Sequence, residues 1–62
     1  MDSIPQLLVI DEVSELTRIP VATLRYWRHQ GTGPKAARLG GRLVYRKHEV
    51  IEWINAAFER VA

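Results

Sequence analysis

The chain has 62 residues, no cysteine and a formal net charge of +2. A chain of this length forms one small domain with a thin core and little room for a deep catalytic pocket. Without cysteine it forms neither disulfides nor thiolate zinc sites, which is compatible with a reducing cytoplasm. The only apolar run near the start, Leu7–Ile10, is too short for a signal peptide or a membrane span, and we expect neither there.

Charge is distributed unevenly along the chain. All seven acidic residues lie outside the stretch from Arg18 to His48, which carries a positive charge of about +8. Such a block, interleaved with aromatic residues, indicates a polyanionic partner, and double-stranded DNA is the first candidate; a solvated basic surface without a partner is the alternative. The basic residues of the block are Arg18, Arg25, Arg28, Lys35, Arg38, Arg42, Arg46 and Lys47.

Two short helices are predicted first. Apolar residues at helical spacing predict a helix over Asp11–Arg18, although neither Val9 nor Ile10 offers a capping oxygen at its start. A second helix is predicted over Val21–Gln30, ended by Gly31. Each helix has an apolar side: Ile10, Val13 and Leu16 in the first, and Val21, Leu24 and Trp27 in the second. The outward side of the second helix carries Ala22, Tyr26 and His29, flanked by Thr23, Arg25 and Gln30.

A hairpin and a third helix follow. The Gly40-Gly41 pair predicts a tight turn between strands at Lys35–Leu39 and Arg42–Arg46. In the second of these strands we expect Leu43 and Tyr45 to face inward and Arg42, Val44 and Arg46 to face outward. The last helix is predicted over Glu49–Glu59, with Glu49 and Glu52 in its first turn and Ile51 and Phe58 partly exposed. Its apolar stripe is Val50, Trp53, Ile54, Ala57 and Val61.

The first two helices and the short turn at Arg18-Ile19-Pro20 have helix-turn-helix spacing. The second helix would enter the major groove of DNA, with the hairpin as a cationic wing along the minor groove. We expect Ala22, Thr23 and Tyr26 to face bases and Arg42 to enter the minor groove. Phosphate contacts are expected from Arg25, Arg38, Arg46 and Lys47. The candidate DNA-binding residues are Ala22, Thr23, Tyr26, Arg25, Arg28, His29, Arg38, Arg42, Arg46 and Lys47.

Other kinds of site find little support in the sequence. Trp27, Trp53 and Tyr45 are expected in the core and not as stacking platforms for single strands. His29 and His48 lie nineteen residues apart without ligands at metal-binding spacing, so we expect no metal. We also expect no cofactor and no enzymatic activity.

Three segments resemble those of a known family. The run from Asp11 to Leu16 and the run Ile19-Pro20-Val21-Ala22-Thr23-Leu24-Arg25-Tyr26-Trp27 are similar to the helix-turn-helix of small MerR-like and excisionase-like winged-helix proteins. The stretch from Gly40 to Ile54 looks like their wing and closing helix. The resemblance implies a mainly α winged helix-turn-helix with a small β-hairpin. It also implies that Thr23, Arg25, Tyr26 and Arg42 contact DNA, without the effector domain of MerR.

Among proteins of this family, a single module most resembles a phage excisionase, which biases an integrase, a tyrosine or serine recombinase, towards excision. The expected partners are double-stranded DNA, the integrase and further copies of the chain arranged head to tail, in a bacterial cytoplasm at the nucleoid. A small prophage or bacterial transcriptional regulator of the same fold is the second hypothesis. A protein-interaction adaptor is the third, and a flat salt dependence of DNA affinity would favour it.

Overall fold

The computed structural model describes residues 6–60. The elements in chain order are β1 (Leu7–Val9), α1 (Ile10–Thr17), α2 (Val21–Gln30), β2 (Ala37–Leu39), β3 (Arg42–Arg46) and α3 (Lys47–Glu59). Three helices pack with one antiparallel sheet of strand order β1-β3-β2. This arrangement confirms the winged helix-turn-helix predicted from the sequence. No helix in the described range has both the length and the apolar composition needed to cross a bilayer.

Helix α1 begins one residue earlier than predicted, with Val9 at the N-cap. Valine has no side-chain acceptor, so the cap is completed from inside the helix: the Val9 N–H donates to Oε1 of Glu12 at 2.9 Å. At the other end, the Arg18 N–H donates to the Ser14 carbonyl at 2.8 Å, and Arg18 adopts a left-handed conformation with φ 65°. The chain therefore turns sharply towards α2 at a residue that has a side chain.

Helix α2 has the predicted bounds. It ends in a Schellman motif, in which Gly31 N–H donates to the Arg28 carbonyl at 3.1 Å and Thr32 N–H to the Trp27 carbonyl at 2.8 Å. The turn that precedes α2 is held by the Ser14 hydroxyl, which donates to the Ile19 carbonyl at 2.6 Å. The Ser14 bond satisfies the Ile19 carbonyl within the turn, and the other two bonds satisfy carbonyl groups at the C-terminus of α2.

The sheet has one strand more than predicted. Leu7–Val9 forms β1 and pairs antiparallel with β3, so the apolar run before α1 is an edge strand. The wing has the expected two-residue turn: Leu39 pairs with Arg42, and Gly40 and Gly41 have φ of 57° and 81°, the positive values that a type I′ turn requires. Strand β2 begins two residues later than predicted, at Ala37.

Helix α3 begins at Lys47, two residues before the predicted start, because the chain passes from β3 into the helix without a loop. Glu49 lies in the first turn of α3, as predicted. Glu52 was predicted in the same turn but lies beyond it. Ile51 and Phe58 are exposed, as expected. The predicted apolar position Val61 lies outside the described residues.

Five residues from four elements form the buried core, which lies between the helices and the inner face of the sheet. Leu16 was expected on the buried side of α1, but it is 44% exposed. Trp27 and Trp53 are half-buried and pack against each other, with ring centroids 5.8 Å apart, at the margin of the core. Val44 is half-buried and not fully outward as predicted. The core residues are Ile10, Val13, Leu24, Tyr45 and Val50.

Candidate nucleic-acid interface

The exposed side of α2 carries most of the residues of this helix that were predicted to contact DNA. Leu24 anchors the opposite side of the helix in the core with 1% exposure, which fixes the rotation of α2 about its axis. Thr23 lies at the margin and is half-buried. The structure leaves a face of small, aromatic and cationic side chains open to solvent: Ala22, Arg25, Tyr26 and His29.

A hydrogen bond orders the aromatic residue of this face. The Gln30 side-chain amide donates to the Tyr26 hydroxyl at 3.0 Å, one helical turn along. Tyr26 is 59% exposed, so the bond holds its ring at the surface without burying it. Gln30 was not among the predicted site residues, although its four-residue spacing from Tyr26 is the signal that indicates this contact.

Arg28 lies on a different side of α2. Its side chain is half-buried and lines an open groove together with residues of the sheet. At 100° per residue, Arg28 is about 120° around the helix from the centre of the exposed face. The structure therefore separates Arg28 from Ala22, Tyr26 and His29, whereas Arg25 lies only about 60° from it around the helix.

The wing presents its arginines at the tip. Arg42 follows the turn directly and is exposed. Nη1 of Arg38 donates to the Gly41 carbonyl at 3.2 Å, so this arginine reaches across the hairpin and braces the turn while its side chain stays exposed. Arg38 thus has a local structural contact that the sequence did not indicate.

The basic residues at the base of the wing form contacts with other parts of the chain. Nε of Arg46 donates to Oε1 of Glu49 at 3.1 Å, the one salt bridge between described residues. Lys47 is half-buried at the start of α3, and its backbone N–H donates to the Gln6 carbonyl at 2.8 Å. Both residues were predicted to hold phosphates, and both lie where β1, β3 and α3 meet.

The charge pattern of the sequence persists in the fold. Apart from Arg46, the exposed cations of the central block form no salt bridge with any residue between 6 and 60. Arg18, which the site prediction left out, is exposed in the turn before α2. Burial raises the pKa of the Tyr45 hydroxyl, and the positive charges of Arg28 and Arg25 partly oppose that rise.

The profile of the family described as "Helix-turn-helix domain" matches residues 7–57, most of the chain. No curated protein and no solved structure matches. The matched region runs from β1 into the last turns of α3, so it includes both helices of the motif, the wing and the closing helix. The chain therefore belongs to this family of helix-turn-helix domains, whose second helix binds DNA.

Proposed function

We propose that the chain binds duplex DNA at specific sites as an excisionase. In this proposal α2 lies in the major groove, the wing follows the minor groove, and the bound copies bend the duplex and bias an integrase towards prophage excision. The observation that carries the DNA contact is the exposed face of α2, which joins a cationic flank to small side chains and has no acidic residue. Small residues let the helix approach base edges closely.

Each part of the face has a role in the proposal. Ala22 and the Thr23 methyl group contact thymine methyls, and Tyr26 contacts a base or the DNA backbone. Arg25 and His29 contact phosphates on the flank. Arg42 enters the minor groove, where the negative potential favours arginine, and Arg38 holds a phosphate beside it.

Neighbouring copies would contact one another head to tail. Helix α1 exposes Asp11, Glu12 and Glu15 on one side of the molecule, whereas the central block is cationic. A single module of this size buries limited DNA surface, and adjacent copies raise one another's effective concentration on the duplex. A heterologous contact of this kind does not close into a ring and extends along the DNA.

The test uses DNA of the genetic element that encodes the chain. Footprinting and mobility-shift titration on its attachment region should show adjacent protected sites that fill cooperatively, and excision by the element's integrase should increase when the chain is added. A single non-cooperative complex, or no effect on excision, would contradict the proposal. Protection confined to a promoter would instead identify a small transcriptional regulator of the same fold.

A further inference from the structure

A groove of about 730 Å³ lies along the outer face of the sheet. Its floor is apolar and comes from all three strands, because the register places Leu7, Val44, Ala37 and Leu39 on one face. Leu7 is 46% exposed and Leu39 is 53% exposed. An apolar sheet face that remains open to solvent in so small a domain is a feature typical of interaction sites.

The rim of the groove is cationic. Arg28, Lys35 and Arg46 line it with a single carboxylate, that of Glu49, which Arg46 already engages. Three cations against one anion leave an excess of two positive charges around the apolar floor. Nε of Arg28 is buried and has no hydrogen-bond partner among residues 6–60, which is uncommon for a buried polar atom.

We propose that this groove binds an acidic peptide segment of a partner protein, with an apolar side chain on the floor and carboxylates at Arg28 and Lys35. DNA is a poorer occupant, because a phosphate backbone has nothing to bury against Leu7, Val44 and Leu39. A peptide suits the site better than a compact molecule. Strand β2 lies at the sheet edge and all three of its residues are exposed, and an edge strand offers backbone groups to an extended chain.

The groove and the DNA-reading face are on different sides of α2. Arg28 faces the groove, whereas Ala22 and His29 face away from it. The side chains of α2 that are proposed to contact DNA are therefore not those that line the groove. Two of the arginines predicted to contact DNA, Arg28 and Arg46, belong to the groove in this assignment.

The probe is a fluorescein-labelled synthetic peptide with the sequence Leu-Phe-Val-Leu flanked on each side by three acidic residues. Fluorescence anisotropy with the full chain should show saturable binding with a Kd below about 1 mM. Two control peptides, one with lysine for every acid and one with serine for the four apolar residues, should bind at least about tenfold more weakly, because each removes one of the two complementary features.

Matched variants inside and outside the groove test whether the peptide binds there. Leu7→Ser should weaken binding about tenfold, since it removes part of the floor, whereas Leu16→Ser removes a leucine of nearly equal exposure, 44% against 46%, from outside the groove and should leave binding unchanged. Lys35→Gln should also weaken binding, and Arg60→Gln, which removes an exposed cation at the end of α3, should not.

Four results would overturn the proposal: no saturable binding, equal binding of the lysine peptide, equal losses for Leu7→Ser and Leu16→Ser, or competitive displacement of the peptide by random-sequence duplex DNA. Displacement would make the groove a phosphate site. Concentration-dependent self-association that Leu7→Ser abolishes would also overturn it, by making a second copy of the chain the occupant. Binding of peptide and DNA together supports the proposal even where the excisionase assay fails.

Discussion

Arg18 shows how the turn between α1 and α2 depends on a single backbone conformation. Its φ of 65° makes it the one non-glycine residue with positive φ between residues 6 and 60. In the left-handed region, the Cβ of an L-residue crowds the following carbonyl oxygen at a cost of about 1–2 kcal/mol. Glycine does not have this strain and is the usual residue at this position after a helix.

We therefore predict that Arg18→Gly unfolds at higher urea concentration than Arg18→Ala, by a free-energy difference of about 1 kcal/mol. Both variants lose the same guanidinium, so the comparison isolates the backbone from the charge. Equal midpoints for the two variants would show that the turn carries no strain at this residue.

Gly33 has a second constraint besides its backbone. With φ of 78°, a Cβ there would lie 3.1 Å from Cε3 and 3.2 Å from Cβ of Trp27. Gly31 has nearly the same φ, 75°, but a Cβ at that position would meet no atom within 4 Å. The two glycines thus separate conformational strain from crowding against the tryptophan.

Gly33→Ala should lower the free energy of unfolding by about 1 kcal/mol more than Gly31→Ala does, because overpacking adds to the common strain. Urea titration followed by tryptophan fluorescence measures both. If Gly31→Ala is the more destabilised variant, the loop does not pack on Trp27 as the structure has it.

Single residues were predicted from the sequence with uneven success. Helical periodicity gave the exposed positions of Ala22, Tyr26 and His29 correctly, since Leu24 fixes the rotation of the helix. By contrast, the neighbours of Arg28 and Arg46 are set by how strands and loops pack together in the folded protein. That information is absent from local patterns, so a rule that assigns basic residues to DNA could not separate the basic residues that line the groove from the others.

At the scale of elements, the boundaries that carry strong local signals were predicted well. Helix α2 has a clear apolar periodicity and ends at a glycine. The Gly40-Gly41 pair adopts the positive φ values of a two-residue hairpin turn, so the sequence alone indicated the hairpin. Strand β1 was missed because its three residues pair with a strand more than thirty positions away. The start of α3 was misplaced because Arg46 at the N-cap has no acceptor that marks a helix beginning.

The packing of α3 depends on Trp53. Its ring lies 5.8 Å from that of Trp27 at an angle of 51°, and it is half-buried. We predict that Trp53→Ala lowers the free energy of unfolding by about 3 kcal/mol, the lower end of the range for aromatic truncation in a core.

Phe58→Ala on the same helix is the control, because Phe58 is 74% exposed and its loss should change stability by less than about 0.5 kcal/mol. Thermal unfolding measures both variants. A stable Trp53→Ala protein with reduced DNA affinity would mean that Trp53 is a surface platform and not a packing residue.

The wing depends on Arg42 for its proposed function and not for its fold. The side chain is exposed beside the turn and forms no salt bridge with described residues. Arg42→Ala should weaken duplex DNA binding about tenfold while leaving the unfolding midpoint unchanged.

Arg60→Ala, which removes an exposed arginine at the end of α3, is the matched control and should bind DNA like the wild type. Equal losses of affinity in both variants would indicate a general effect of net charge. Unfolding of Arg42→Ala would show that this arginine is not the solvent-exposed tip of a wing.

For the whole molecule, the separation of charge in the sequence becomes a separation in space. Acidic residues are exposed on α1 and along α3. The exposed cations of the central block lie on the turn before α2, on α2, on the wing and on the loop that precedes the wing. A net charge of +2 conceals this polarity. The fold class and the cationic surface could be predicted from composition and periodicity. The groove could not, because it also needs strand β1, which pairs with β3 from more than thirty positions away in the sequence.

The most direct test of DNA binding by this cationic surface is the salt dependence of affinity for duplex DNA. If the surface neutralises about five phosphates, the slope of log K against log salt should be about −4.5, and Arg42→Ala should reduce it by about one unit. Fluorescence anisotropy from low to moderate salt measures it. A flat response, or the same slope for Arg42→Ala and the wild type, would contradict the account.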